Sequence, residues 1–196
     1  MTLLVLGLVL FLGTHSFSMA RGPRAAIIGR IGEGPYKLLY TALSLAGIVL
    51  VSIGYGQYRA DGYIPVWDPP VWTRHLALLL VLIGFICFSA AYLPGRIKAR
   101  LKHPMLAGVK IWALAHLLAN GDLGSILLFG SFLVWAVLAR ISAKRRDVAA
   151  QHGGTAAPAG WRNDILAVAI GVGVYLAFVF WLHPWLIGVP VLPMRA

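Results

Sequence analysis

Histidine is the residue type in this 196-residue chain that offers the most chemistry, and six are present. An imidazole can bind a metal ion, transfer a proton or form hydrogen bonds. His15 and His116 lie well inside apolar runs, where an unpaired imidazole would leave its N–H and its lone pair unsatisfied. A side chain, a backbone carbonyl or a cofactor iron must therefore bind each of them. We take these two histidines as the candidate metal ligands.

The other four histidines fall at the edges of apolar runs or outside them. His75 and His183 each have tryptophans close by, which is typical of anchors at the membrane interface. His75 is also within reach of a site near the outer leaflet, so it stays open as an alternative ligand to His15. His103 directly precedes a proline, and His152 lies in a polar stretch.

The surroundings of His116 are compatible with a flat cofactor. Trp112 precedes it by one helical turn and therefore shares its face. The small residues nearby are Ala113, Ala115, Ala119 and Gly108. Small side chains also permit close helix packing, so both interpretations stay open. Lys110 is a buried cation that can snorkel to the interface or pair with a carboxylate of a ligand.

Six apolar runs must position these side chains, and each approaches the ~20 residues that cross roughly 30 Å of hydrocarbon. The runs cover residues 2–19, 35–58, 72–93, 104–118, 123–141 and 163–186. Asn120-Gly121-Asp122 is a strong turn signal between the fourth run and the fifth, so these two form a tight hairpin. The sequence therefore predicts an all-α, polytopic transmembrane bundle of about six spans, in a single domain over residues 1–196.

Composition independently excludes a water-soluble fold. The chain is 60% hydrophobic and 12% charged, with a mean hydropathy of +0.82, whereas a soluble surface needs about a quarter of residues charged. The net charge of +11 does not indicate nucleic-acid binding, because no basic soluble domain exists to carry it. The single cysteine, Cys87, excludes intrachain disulfides and thiolate metal clusters.

The positive charge instead predicts orientation. Residues 21–37, 96–102 and 140–162 hold 13 of the 17 lysines and arginines. By the positive-inside rule these connections are cytoplasmic, and both termini then lie on the non-cytoplasmic side. The first run is expected to be a retained span, since its basic cluster follows the apolar stretch where a signal peptide's precedes it. Residues 147–160 are expected to form a flexible cytoplasmic loop.

Helical rise gives a depth for the two central histidines. From the cytoplasmic ends of their runs, His15 would lie about 8 Å deep and His116 about 19 Å deep. The offset of roughly 10 Å along the membrane normal is compatible with both imidazoles on one iron only if the ligand axis is oblique.

Several strings together resemble the NnrU family of bacterial membrane proteins. The longest is Trp-Ala-Leu-Ala-His-Leu-Leu-Ala-Asn-Gly-Asp at Trp112 to Asp122. The others are Gly-Glu-Gly-x-x-Lys at Gly32 to Lys37, Tyr-Leu-Pro-Gly at Tyr92 to Gly95, His-Pro-Met at His103 to Met105, Phe-Gly-Ser-Phe at Phe129 to Phe132, and Arg-Ile-Ser at Arg140 to Ser142.

The resemblance implies a multi-pass protein of the bacterial inner membrane that is associated with denitrification, the reduction of nitrite and nitric oxide. That family is in turn similar to 15-cis-zeta-carotene isomerase, a haem b protein, whose two ligating histidines would fall on His15 and His116. Trp112 and Lys110 are then the further candidate cofactor contacts. The isomerase's alternative thiolate ligand falls on Ala113, so ligand switching to a thiolate is absent here. A redox protein and an isomerase-like enzyme acting on a lipophilic substrate both stay open.

Two other functions compete with that interpretation. Residues 102–108 resemble the R-H-P-x-x-x-G box of isoprenylcysteine carboxyl methyltransferases, which helps to hold S-adenosylmethionine. That family places paired carboxylates after Arg-Ile, whereas Arg140-Ile141 here leads into Lys144-Arg145-Arg146. The second alternative is a non-enzymatic assembly or maturation factor for a nitric oxide or nitrite reductase. Expected partners are thus the lipid bilayer and a redox partner or reductase, with no nucleic acid.

Overall fold

The computed structural model of the chain describes residues 1–149 and 160–192, and within them every regular element is helical. The α-helices are α1 (Thr2–Phe17), α2 (Arg21–Ile31), α3 (Glu33–Ala60), α4 (Val71–Tyr92), α5 (Arg96–Leu101), α6 (Pro104–Ala119), α7 (Leu123–Ala149), α8 (Trp161–Ala177) and α9 (His183–Ile187). A π-helical turn, Phe178–Leu182, joins α8 to α9. The expected all-α fold is confirmed.

The helices follow the apolar runs closely, with three differences in the polar segments. Helix α7 continues eight residues past its apolar run, through Lys144-Arg145-Arg146 to Ala149, because alanine, lysine and arginine favour helix. The start of the expected loop over 147–160 is therefore helical, and residues 150–159 lie outside the described residues. The basic segments after α1 and after α4 form two helices that the apolar runs did not predict, α2 and α5.

Helix length and composition support a multi-pass membrane protein. Four stretches are long and apolar enough to cross a bilayer: α3, α4, α7 and the continuous helical segment Trp161–Ile187. A fifth exists if α1 and α2, which meet at 87°, count as one broken span. Helix α6 is apolar but shorter. The six-span count and the side on which each terminus lies stay predictions.

The helices pack as a row in the order α3, α1, α7, α6, α4 and α8. The most intimate pair is α1 with α3, because glycines let the two backbones touch. A Cβ on Gly47 would lie 2.8 Å from the backbone nitrogen of Phe11, and one on Gly7 would meet the backbone of Val51. This contact sets the position of α1, and with it His15, against α3. The apolar core of the row comprises Leu4, Leu8, Val51, Ala113, Leu128 and Phe129.

At one end of the molecule, along the helix axes, the connection between α3 and α4 is hydrogen-bonded to the turn between α6 and α7. The N–H groups of Val66 and Trp67 donate to the carbonyl of Gly121 at 2.8 and 3.0 Å, and that of Leu123 donates to Ile64 at 2.9 Å. Glycine is required at position 121, because a Cβ there would collide with the carbonyl of Trp67. Asp122 then caps α7 by accepting a hydrogen bond from the N–H of Ser125 (2.9 Å).

Basic segments lie together at the opposite end of the molecule along the helix axes. Asp164 of α8 accepts a hydrogen bond from the N–H of Ile97 (3.0 Å) and so fastens α5 to α8. The ring of His103 lies 2.9 Å from the carboxylate of Asp147, which fastens the start of α6 to the end of α7. The second and third basic segments therefore share one end of the molecule, as the positive-inside argument requires.

A proline explains the irregular last helix. Pro184 has no N–H to donate and its ring crowds the preceding turn, and the backbone widens into the π-helical turn immediately before it. Arg59, at the end of α3, donates to the carbonyl of Ile187 at 2.8 Å. This bond connects the two outer helices of the row, so the row is curved.

Candidate functional site

His15 lies in the last turn of α1, with its ring held by the helix backbone. Its Nδ1 is 2.8 Å from the carbonyl oxygen of Phe11, four residues earlier. A carbonyl only accepts hydrogen bonds, so Nδ1 carries the proton and donates. The lone pair of the neutral ring is then on Nε2. The ring packs on Phe11 (4.2 Å between centroids), Tyr40 (5.3 Å) and the edge of Trp135 (5.8 Å).

His116 repeats this arrangement on α6. Its Nδ1–H donates to the carbonyl of Trp112, four residues earlier, at 2.8 Å. Its ring stacks on Phe129 at 4.4 Å and lies 5.0 Å from Trp112. An aromatic residue four positions before a histidine thus occurs twice. In both copies the lone pair of Nε2 is free to bind a metal ion. This is the tautomer of a histidine that binds iron through Nε2.

Three aromatic side chains on α7 connect the two histidines. We call Phe129, Phe132 and Trp135 the aromatic ladder; their spacing of three residues sets about 4.5 Å of rise between rungs. Phe129 stacks on His116 and Trp135 meets His15. Phe132, between them, contacts Phe11 of α1 and Trp112 of α6 at 5.6 Å each. The ladder places the histidines at depths about 9 Å apart.

The donor chemistry at this site fits a haem iron. Each imidazole is fixed by a backbone hydrogen bond through Nδ1, which leaves the lone pair of Nε2 for a metal ion. A chain of ring contacts leads from His15 through Phe11, Phe132 and Trp112 to His116. Across residues 1–149 and 160–192, no three His, Cys, Asp or Glu side chains form a metal-binding group, whereas a haem iron needs only one or two.

An apolar groove adjoins the His15 end of the ladder. It has a volume of about 490 Å³ and runs between α1 and α7. Gly13 and Ser16 form part of its α1 wall, and Gly130 and Trp135 part of its α7 wall. A Cβ on Gly13 or Gly130 would meet nothing within 4 Å. The walls have the apolar character that binds flat hydrophobic ligands.

The remaining candidate residues lie outside the ring contacts of the histidine pair, although Lys110 is on the same helix as His116 and His183 is close enough to His116 for their charges to interact. His75 is exposed in the first turn of α4, and Lys110 is partly buried on α6. Neither makes an ion pair within the described part of the chain. His183 donates from Nδ1 to the carbonyl of Val189 at 2.8 Å. His152 lies outside the described residues.

His103 is held by a carboxylate that the sequence analysis did not connect with it. The residue occupies the N-cap position of α6, with Pro104 as the first helical residue. Its Nε2 lies 2.9 Å from Oδ2 of Asp147, at the far end of α7. The box that resembles the methyltransferase motif therefore ties two helices together through its histidine.

Polar atoms without hydrogen-bond partners occur close to His15. Within the described residues, buried side-chain atoms without a partner are Tyr36 OH, Trp135 Nε1 and Arg140 Nη1, and the hydroxyl of Ser44 lies beside that of Tyr40. Tyr36, Tyr40 and Ser44 are spaced by four residues and so share one face of α3. Tyr40 and Trp135 both contact the ring of His15. One unpartnered atom, Trp135 Nε1, thus belongs to a residue in contact with His15, and Tyr36 shares a helix face with another such residue.

Neither the aromatic ladder nor this polar face of α3 was predicted from the sequence. Both leave a signal: the i, i+3, i+6 spacing of aromatic residues on α7 and the i, i+4, i+8 spacing of hydroxyl side chains on α3. Such a spacing shows which residues share a helix face, but what that face contacts is known only when the neighbouring helix is known. Hydropathy does not reveal that α7 packs between α1 and α6.

Comparison with known protein families gives a match over nearly the whole chain. The family model described as "NnrU protein" matches residues 3–191. Neither a curated protein nor a solved structure matches the chain.

Proposed function

The chain belongs to the NnrU family, and from this membership we propose that it is a haem b-binding protein of the bacterial inner membrane. The proposed role is in nitrite and nitric oxide metabolism, or in an isomerase-like redox reaction on a lipophilic substrate. The supporting observation is the repeated arrangement at His15 and His116, in which a backbone carbonyl holds Nδ1–H and leaves Nε2 free. We propose these two residues as the iron ligands.

The chain's own residues would hold and shield the cofactor. When bound, a haem supplies an iron that can transfer electrons or bind a gas ligand. The carbonyls of Phe11 and Trp112 fix the direction of each imidazole. Trp112 offers an aromatic face beside His116, and Lys110 offers a cation for a carboxylate of the ligand.

Visible spectroscopy of detergent-purified protein, expressed with haem supplied, tests the proposal. We expect a Soret band that shifts on reduction with dithionite. His15→Ala and His116→Ala are each expected to abolish the low-spin spectrum, since two imidazoles give low-spin iron. His152→Ala, outside the described residues, is the matched control and should retain it. A colourless, well-folded preparation would contradict haem binding.

The same series identifies the ligand pair. If His75→Ala removes the pigment and His15→Ala retains it, the axial ligands are His75 and His116. Gly130→Leu adds a further test of access, because Gly130 lines the groove between α1 and α7 and a Cβ there meets nothing within 4 Å. A drop in haem content in Gly130→Leu, with unchanged folding, would place the cofactor's approach at that groove.

The packing of both imidazoles on aromatic rings favours a second candidate function. His15 lies against Phe11 and His116 against Trp112, and Phe132 contacts both of these rings, as expected if the histidines are structural parts of the bundle. The chain would then be an assembly or maturation factor for a nitric oxide or nitrite reductase. In that case the purified protein carries no pigment, and it co-purifies with the reductase from native membranes.

Methyl transfer is tested separately. Asp147 supplies one carboxylate beside His103, whereas the methyltransferase pattern requires a pair. Calorimetric titration with S-adenosylmethionine is therefore expected to show no binding.

A further inference from the structure

A second pocket lies where α1, α2 and α3 meet, at the end of the molecule predicted to be cytoplasmic. Its volume is about 350 Å³, enough for roughly a dozen water molecules at ~30 Å³ each. The residues that line it are Ser18, Arg24, Tyr36, Lys37, Tyr40 and Thr41. All six carry hydrogen-bond donors, and none is a carboxylate.

Arg24 and Lys37 give this pocket a net positive charge, because one carboxylate, Glu33, interacts with both of them. Its guanidinium carbon lies 5.6 Å from the centroid of the Tyr36 ring. Lys37 is already paired with Glu33 at 2.8 Å, so its charge is largely neutralised. Of the carboxylates in the described residues, none forms an ion pair with Arg24. An anion is therefore the ligand that the electrostatics of the pocket favour.

Tyr36 provides an independent observation that a ligand is expected here. The residue is only 8% exposed, and its hydroxyl is buried with no hydrogen-bond partner. Buried polar groups in folded proteins nearly always have a partner, so an orphan hydroxyl in a pocket wall calls for an acceptor or an ordered water. Trp135 Nε1, on α7, is unpartnered as well.

The position of the pocket narrows the kind of anion. Helix α2 leaves α1 at 87°, as a helix lying along a membrane surface would, and it presents Arg21, Arg24 and Arg30. Basic segments at the cytoplasmic surface attract anionic headgroups. A phosphate group has several acceptor oxygens, which matches a guanidinium and several hydroxyls converging on one pocket.

We propose that this pocket binds a phosphate group, carried by an anionic lipid headgroup or free in solution, through Arg24 and the hydroxyl of Tyr36. The proposal does not depend on haem binding, since neither residue contacts His15 or His116. It assigns to the corner between α1 and α3 an anion-binding role in addition to any chemistry at the histidines.

Thermal unfolding in neutral detergent tests the proposal with two probes, inorganic phosphate and phosphatidylglycerol. Each is compared with a matched reference, chloride at equal ionic strength and phosphatidylcholine. We expect at least one probe to raise the Tm of the wild-type protein above its reference. A rise with phosphatidylglycerol alone identifies a headgroup site, and a rise with inorganic phosphate as well identifies a site open to free oxyanions. No rise with either probe overturns the proposal.

Two conservative variants and two controls separate binding from general charge effects. Arg24→Gln is expected to weaken probe affinity at least tenfold, whereas Arg30→Gln, on the same helix but outside the pocket, leaves it within twofold. Tyr36→Phe is expected to raise the Tm without probe, because it removes an orphan hydroxyl, and to lose the gain on adding probe. Tyr92→Phe, at an exposed tyrosine, should change neither. Equal probe-induced gains in Tyr36→Phe and wild type overturn the proposal.

Discussion

At the scale of single residues, the two central histidines show how far a sequence argument reaches. The cost of burying an imidazole singles out His15 and His116, and it requires a partner for each ring. The structure supplies half of that requirement, because a backbone carbonyl one turn earlier binds Nδ1 in both cases. The partner of Nε2 depends on neighbouring helices, and spacing along one helix does not reveal it.

The hydrogen bonds of these rings lead to a direct prediction. At neutral pH, ¹⁵N NMR of the haem-free protein labelled at histidine should show His15 and His116 as Nδ1–H tautomers with an unprotonated Nε2. His75 is the matched control, since it is exposed and its ring makes no hydrogen bond within the described chain; its signals should report a mixture of tautomers. A dominant Nε2–H form at either central histidine would contradict the structure and remove that residue as an Nε2 ligand.

At the scale of helices, hydropathy predicted where most helices begin and end, but it did not predict the order in which they pack. The ends of α4 and α6 lie within a residue of the predicted runs, because the apolar segments there stop at Pro-Gly, Pro and Asn-Gly-Asp signals. Helices α2 and α5 and the end of α7 were not predicted, because they are polar and lie outside the apolar runs. The aromatic ladder was missed because it depends on the order α1, α7, α6, which many bundles of the same hydropathy do not share.

The contact of α1 with α3 makes a prediction at this scale. A Cβ on Gly54 would lie 2.6 Å from the carbonyl carbon of Leu3, so Gly54→Ala forces the two backbones apart. We expect a loss of about 1–3 kcal/mol in the free energy of unfolding, measured by denaturant titration in detergent micelles. Gly56→Ala is the matched control two residues away, where a Cβ meets nothing within 4 Å. It should stabilise α3 by about 0.5–1 kcal/mol. Equal effects of the two variants would contradict the close packing.

At the scale of the whole molecule, the surface is that of a protein in lipid. Large apolar side chains such as Val9, Leu38, Val134 and Trp185 are more than half exposed, which only a hydrocarbon solvent leaves without cost. Backbone groups in the long helices are bonded within each helix, as the bilayer demands. The net charge of +11 then has a simple distribution. Hydrogen bonds hold the second and third basic segments together at the end of the molecule where Asp147 and Asp164 lie.

This distribution predicts the orientation of the molecule in the membrane. Positive-inside placement puts the end with Lys144 in the cytoplasm and the connection with Asp61 outside. The only native cysteine, Cys87, is buried and should stay unlabelled, so single cysteines can be introduced directly. We expect a membrane-impermeant maleimide to label Asp61→Cys in intact spheroplasts and Lys144→Cys only after the membrane is opened; both positions are exposed.

The reverse pattern would invert the topology and move the phosphate-binding pocket to the outer face. Labelling of both cysteines in intact spheroplasts would instead contradict an odd number of spans between these positions.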